Sequence, residues 1–192
     1  MRAPLRRRLV AGFAATAATV ALAVAGAAPA NAHDHADDDL TSQAAIAEVR
    51  AATAQFQDVT AAEAAGYGLL EDAAHIACID KPGAGGMGIH YVNLGLVLDP
   101  AFDPATPEVL VYEPDKHGHL KLVAVEYVAF ESTLGGAVPE LFGQTFHRMP
   151  GAGEAELQNR YGLPAFYELH LWLWKHNVAG MFDDWNPKVV CP

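Results

Sequence analysis

Glu168-Leu169-His170-Leu171-Trp172-Leu173-Trp174-Lys175-His176 lies near the C-terminus and decides how the chain is read. Every second residue from 169 to 173 is leucine. Successive side chains of a β-strand face opposite sides, so the three leucines form one apolar face. Glu168, His170, Trp172, Trp174 and His176 form the other. A helix would scatter both sets around its circumference. The alternation therefore predicts a strand over 168–175. Its mixed face is either packed under another element or one wall of a small-molecule pocket, with aromatic sides and a few polar groups.

Other β signals surround it. Glu108–Glu113 and His119–Phe130 flank Pro114-Asp-Lys-His-Gly118, which has the residues of a hairpin turn. Ile89–Val92 reads as a short strand, and Leu94–Leu98 as its extension or a second strand. Lys81-Pro-Gly-Ala-Gly-Gly86 reads as a loop. Over Leu40–Ala65, Ile46, Val49, Thr53, Phe56 and Val59 recur at spacings of three and four, which predicts an amphipathic helix. Thr41 or Ser42 can cap its start and Gly66 can close its end. One or two helical turns are expected over Glu154–Arg160. The fold class is α+β: an N-terminal amphipathic helix packed on an antiparallel sheet or half-barrel of four to six strands.

The first residues set the compartment. Arg2, Arg6, Arg7 and Arg8 form a basic region, Val10–Ala28 is apolar and uncharged, and Pro29-Ala-Asn-Ala32 offers a small-x-small cleavage site. This reads as a secretory signal peptide over 1–32, and Arg6-Arg7-Arg8-Leu9-Val10 also loosely fits twin-arginine export. Its removal leaves 160 residues, one domain over 33–192 with room for a core. The acidic, His-containing stretch 33–39 reads as a tail and 40–192 as the folded body. All 23 acidic residues remain against eight basic ones, a formal charge of −15. Such a surface repels nucleic acid and anionic lipid and leaves metal ions and small molecules as partners. No membrane insertion is expected after cleavage. Cys78 and Cys191, an even pair in an exported chain, are expected to form a disulfide.

Three positions carry polar groups where sequence logic would not put them. His90 follows Gly85-Gly-Met-Gly-Ile and opens a strand. Glu126 stands inside Leu120-Lys-Leu-Val-Ala-Val-Glu126-Tyr-Val-Ala-Phe130, where a buried carboxylate needs a cationic or metal partner. Strict alternation places it on the face of Leu120, Leu122, Ala124, Val128 and Phe130. His170 is on the mixed face of the C-terminal strand. Two imidazoles and one carboxylate suit Zn, Cu, Fe or Mn in a site with open positions. His147 and His176 are substitute ligands, and Tyr91, Trp172 and Trp174 are pocket walls. A separate Cu(II) or Ni(II) site is expected at the new N-terminus, where the free amine, two amide nitrogens and the His35 imidazole of His33-Asp34-His35 can form a square plane.

Gly85-Gly-Met-Gly-Ile-His-Tyr-Val-Asn93 and His170-Leu-Trp-Leu-Trp-Lys-His-Asn177 resemble segments of a group of uncharacterised secreted bacterial proteins, over about 53–191. The resemblance implies export and carries no activity. Three readings stand open: a metal-binding protein with metal-assisted small-molecule chemistry, a non-enzymatic binder of an apolar or aromatic ligand, and a structural cell-envelope protein.

Overall fold

The structure, a computed structural model, describes residues 32–154 and 159–192, with side chains from Ser42 onward. The signal sequence, the side chains of His33 and His35 with their Cu/Ni site, and the centre of the expected Glu154–Arg160 helix lie outside the described residues.

Helix α1 runs Ala32–Thr53, a 3-10 turn follows over Ala54–Gln57, and α2 covers Val59–Ala64. The helical backbone thus extends back through 33–39, which the sequence reading leaves as a tail, and starts before Thr41 and Ser42. The expected single helix is also broken in two. Asp58 takes extended backbone angles and accepts hydrogen bonds from Thr60 N and Oγ1, capping a new helix. Gly66, at φ +95°, closes α2 as expected.

The strands are β1 (Gly68–Leu69), β2 (Cys78–Lys81), β3 (Gly85–Val92), β4 (Val109–Pro114), β5 (Leu120–Phe130), β6 (Glu140–Leu141), β7 (Gln144–Thr145), β8 (His147–Met149) and β9 (Phe166–Leu171). Seven of them form one sheet in the order β1-β3-β4-β5-β9-β8, with β2 also on β3, and β6 pairs with β7. All pairings are antiparallel. The α+β class holds, with more strands than the four to six expected. Leu94–Val97 is a helical turn, α3, rather than a strand, because Asn93 Oδ1 caps Gly95 N.

One face of the sheet carries Leu110, Tyr112, Leu122, Val125, Tyr127, Leu169 and Leu171, packed with Val49, Phe56 and Ala62 of the helical segment. The Tyr112 hydroxyl donates to Phe56 O at 2.7 Å and ties the two layers. The leucines of β9 are on this core face, as their spacing predicts. The opposite face carries Val109, Val111, Ala124 and Trp172.

A bulge in β5 sets which residues face where. Val111 pairs with Ala124 but Tyr112 with Leu122, so Val123 is the extra residue. Alternation restarts there. Leu120 and Leu122, before the bulge, therefore face the side opposite to Glu126, which corrects the expectation for them, while Ala124, Val128 and Phe130 share its side as strict alternation predicts. The carbonyl of Val123 accepts from Trp174 N at 3.0 Å.

The loop expected over Lys81–Gly86 is the turn at 82–84 that joins β2 to β3, but Gly85, Gly86 and Gly88 belong to β3, and neighbours occupy the space a Cβ would need there. A Cβ at Gly85 would sit 2.2 Å from Asn186 O, and at Gly88, with φ +113°, 2.5 Å from Tyr112 O. The C-terminal run lies against this strand and is locked by the Cys78–Cys191 disulfide, which spans 113 residues of sequence. Closing a loop of that length restricts the unfolded chain by about 5 kcal/mol on the chain-entropy estimate. A disulfide also fits an extracytoplasmic compartment. Among the described residues no helix is long and apolar enough to cross a membrane.

Gly88→Ala should destabilise the protein by about 2–4 kcal/mol, because it combines left-handed strain with a backbone clash. Urea unfolding followed by tryptophan fluorescence measures this. A loss below 1 kcal/mol would show that β3 relaxes freely here.

Candidate metal centre

Three strands deliver the three polar groups to one point. Glu126 on β5 is directly opposite His170 on β9. His90 is on β3, separated from β5 by β4, or about 9.6 Å at the usual strand spacing. On the intervening strand the residues paired with Val92 and His90 are Val109 and Val111, whose short side chains leave room for an imidazole to reach across. His90 Nε2 is 3.7 Å from Glu126 Oε2, and His170 Nδ1 is 3.5 Å from Glu126 Oε1. One donor atom from each residue lies within 4.8 Å of the others. The side chains are 4%, 5% and 0% exposed for His90, Glu126 and His170, so the cluster is sealed from bulk water except through the cavity described below.

These separations bear on what the cluster holds. Two ligands about 2.0–2.1 Å from one ion at a tetrahedral angle are about 3.4 Å apart. A direct imidazole–carboxylate hydrogen bond would be nearer 2.8 Å. His90 Nδ1 and both nitrogens of His170 are buried without a hydrogen-bond partner. Core histidines normally satisfy theirs. The His90 and His170 rings meet edge to face at 5.9 Å, and Trp172 stacks on His170 at 5.5 Å with an interplanar angle of 26°. Trp172 is itself held by its Nε1 donating to Asp183 O at 2.6 Å.

The electrostatics separate the groups. Burial, with a smaller push from the neighbouring His170, lowers His90 to about 4, against the pull of Glu126, so it is neutral at pH 7. Burial disfavours the Glu126 carboxylate, but the nearby imidazoles outweigh it and hold the group ionised, below the usual range. Burial likewise opposes charge on His170, but Glu126 prevails and raises it. Glu168 is raised well above the ordinary carboxyl value by burial and by Glu126, with which it shares a hydrogen bond. Two carboxyl groups in such contact hold a proton between them.

A cavity of about 500 Å³ opens beside the cluster. His90, Glu126, Glu168 and Tyr161 line one region of it. Ile79, Met87, Val128, Phe130, Phe166 and Trp185 are among its apolar walls.

The remaining expected site residues are elsewhere. Tyr91 is on the helix-facing side, edge to face with Tyr112 at 5.2 Å, because it alternates with His90. β9 ends at Leu171, short of the expected Lys175. Trp174 therefore leaves the mixed face and packs with the helix-side core, under the Arg50 guanidinium at 4.8 Å. His176 is exposed. His147 is largely exposed and pairs with Asp184 at 3.2 Å, so it is not beside the cluster. Of the pocket residues expected from sequence, Trp172 alone touches the centre. Trp185, which the turn-rich C-terminal run is expected to plug into the body beside this face, does line the cavity, while sequence reasoning missed Tyr161, whose surroundings give no periodic signal. It noted Glu168 on the mixed face but assigned it no role. Glu108 is on the helix side of the sheet, where burial raises it to about 7.

No protein-family model, no curated protein and no solved structure matches the chain.

The sign of the pH dependence follows from these shifts. Between pH 6.5 and 4 the unfolded chain binds a proton at His90 that the folded protein rejects. His90 alone should cost the metal-free protein about 3 kcal/mol as the pH drops through that window. Glu108, Glu168 and His170, all raised in the folded protein, act oppositely and gain stability as the pH falls. The difference in urea stability between the wild type and His90→Gln, followed from pH 7 to pH 4, isolates the His90 contribution, and a difference that does not change with pH would refute it.

Proposed function

We propose that this protein is exported and binds one divalent transition-metal ion through His90, Glu126 and His170, with a coordination position open to the apolar cavity. The observation that carries the reading is the buried cluster itself. Two imidazoles and a carboxylate converge from three strands at separations near those of donors around one ion. The unpartnered imidazole nitrogens support it, since leaving them so in a dry core costs free energy that coordination would recover. The donor set is mixed nitrogen and oxygen, which Zn, Fe, Mn and Cu all accept. With an open position, a bound ion can act as a Lewis acid or lower the pKa of a bound water. The binding-module reading survives in modified form: the apolar cavity is a ligand chamber, and its floor is the metal.

Binding must release protons. The neutral imidazole is the ligand, so the ion competes with the proton that Glu126 favours on His170. Metal affinity should rise with pH up to the raised His170 value and then level off. More protons should be released per ion below that value than above it. Calorimetry in buffers of different ionisation enthalpy, repeated across pH, measures this number. A release that does not change with pH would mean that His170 is not a ligand.

Elemental analysis of protein purified from its native export route should find about one metal ion per chain. His90→Ala and His170→Ala should each lower the affinity by about a hundredfold or more, and Glu126→Gln by a similar factor. Absence of metal, together with a melting temperature unmoved by added Zn, Cu, Mn or Fe, would refute the proposal.

A further inference from the structure

The cavity walls restrict what can bind beside the metal. Several polar residues line the chamber, but most are committed to protein partners. Asn159 donates to Pro150 O and Leu163 O and accepts from Leu163 N. Arg160 donates twice to Asp72 Oδ2, at 2.7 and 3.0 Å. Lys81 lies over the Trp185 ring at 5.5 Å. Of the buried polar residues, His90, Glu126 and Glu168 remain for a ligand, with Tyr161 also on the lining, while the exposed Asp80 lines the cavity next to Lys81. A guest therefore meets mostly hydrocarbon, with buried polarity at the cluster and an exposed charged pair, Asp80 and Lys81, on β2.

The charge at the cluster is set by the ion. A divalent cation held by two neutral imidazoles and one carboxylate keeps one positive charge. In an apolar chamber that charge selects an oxygen donor with a negative charge over a neutral one. At water's share of about 30 Å³ per non-hydrogen atom, 500 Å³ holds roughly fifteen such atoms.

We propose that the chamber takes a monoanionic amphiphile, with a carboxylate head on the metal and an apolar chain of roughly ten carbons along the walls. This rests on the metal reading above and adds the ligand class to it. In the metal-free protein the floor holds the Glu126 carboxylate against its imidazole neighbours and offers no net positive charge to such a head. Binding should therefore be conditional on the ion.

The test is calorimetric titration of decanoate into Zn²⁺-loaded and metal-free protein, with metal content measured separately in each sample. Decanoate should bind the loaded protein about tenfold or more tightly than the metal-free one. Decanol, which lacks the charge, and acetate, which lacks the chain, should each bind the loaded protein about tenfold or more weakly than decanoate. Val128→Phe narrows the chamber without removing a donor atom, and should keep the metal while losing decanoate. Leu70→Trp serves the same purpose at the half-buried wall should the first variant not fold. Equal affinity with and without metal would overturn the proposal, as would decanol binding as tightly as decanoate. Metal-independent binding abolished by Lys81→Gln would place the head at the lysine and overturn it equally. A protein that holds Zn²⁺ but not decanoate refutes this proposal alone. A protein that holds no metal refutes the metal reading and this one with it.

Discussion

The fold is organised around a carboxylate buried in the middle of the sheet and open only to the cavity beside it. An ionised Glu126 in the middle of a seven-stranded sheet would be among the costliest groups in the molecule if left alone. The surrounding chain answers that cost residue by residue. His170 is set directly across the ladder, His90 reaches in from two strands away, and Glu168 shares a hydrogen bond on the third side. The valines at 109 and 111 are as important as the charged groups. A larger residue at either position would stand between His90 and Glu126 and leave the charge with one partner fewer.

The bulge at Val123 is the backbone device that makes this arrangement possible. The first half of β5 must face its leucines toward the helical layer, and so must Val125 and Tyr127 in the second half. An uninterrupted strand would send Glu126 into the same layer as Leu122. One extra residue reverses the alternation, so the apolar side chains remain with the helix and the carboxylate faces the cavity. The extra residue is put to further use: its carbonyl receives the chain after β9, and this contact coincides with the point where Trp174 turns away from the metal side.

These features explain what the sequence could reveal. Glu126 was conspicuous because a carboxylate among valines has few cheap explanations, and the leucine alternation of β9 was visible because it is strictly periodic. His90 stands out by its place after a glycine run at a strand, and its alternation with Tyr91 puts the two on opposite faces, so both cannot line one pocket. The bulge leaves no local mark: Leu-Val-Ala-Val reads as plain alternating strand, and only the register against β4 exposes the extra residue. The glycines misled for a related reason. Gly85 and Gly88 are needed because Asn186 and Tyr112, both distant in sequence, press on the backbone. A reading based on neighbours in sequence sees flexibility where the folded chain has a tight contact. The convergence of His90, Glu126 and His170 likewise depends on strand order, which no motif encodes.

The distances at the centre allow one further step. If the cluster existed only to neutralise Glu126, nothing would prevent His170 from closing to hydrogen-bond length, since the two are directly opposed on adjacent strands. They stand 3.5 Å apart instead. The ring is held by its neighbours: Trp172 stacks on one side of it, and Trp172 is fixed in turn by its bond to the Asp183 carbonyl. That carbonyl belongs to the C-terminal run, which the disulfide ties back to β2. A chain of contacts thus runs from the covalent lock, through an aromatic pair, to the position of one imidazole. Holding donors apart against their own attraction is the preorganisation a metal site requires, because each ligand is then already at its working separation when the ion arrives. On this view the disulfide does more than stabilise the fold. Cutting it would free the support behind Trp172 and let His170 collapse onto Glu126, so metal affinity would weaken before the sheet itself came apart.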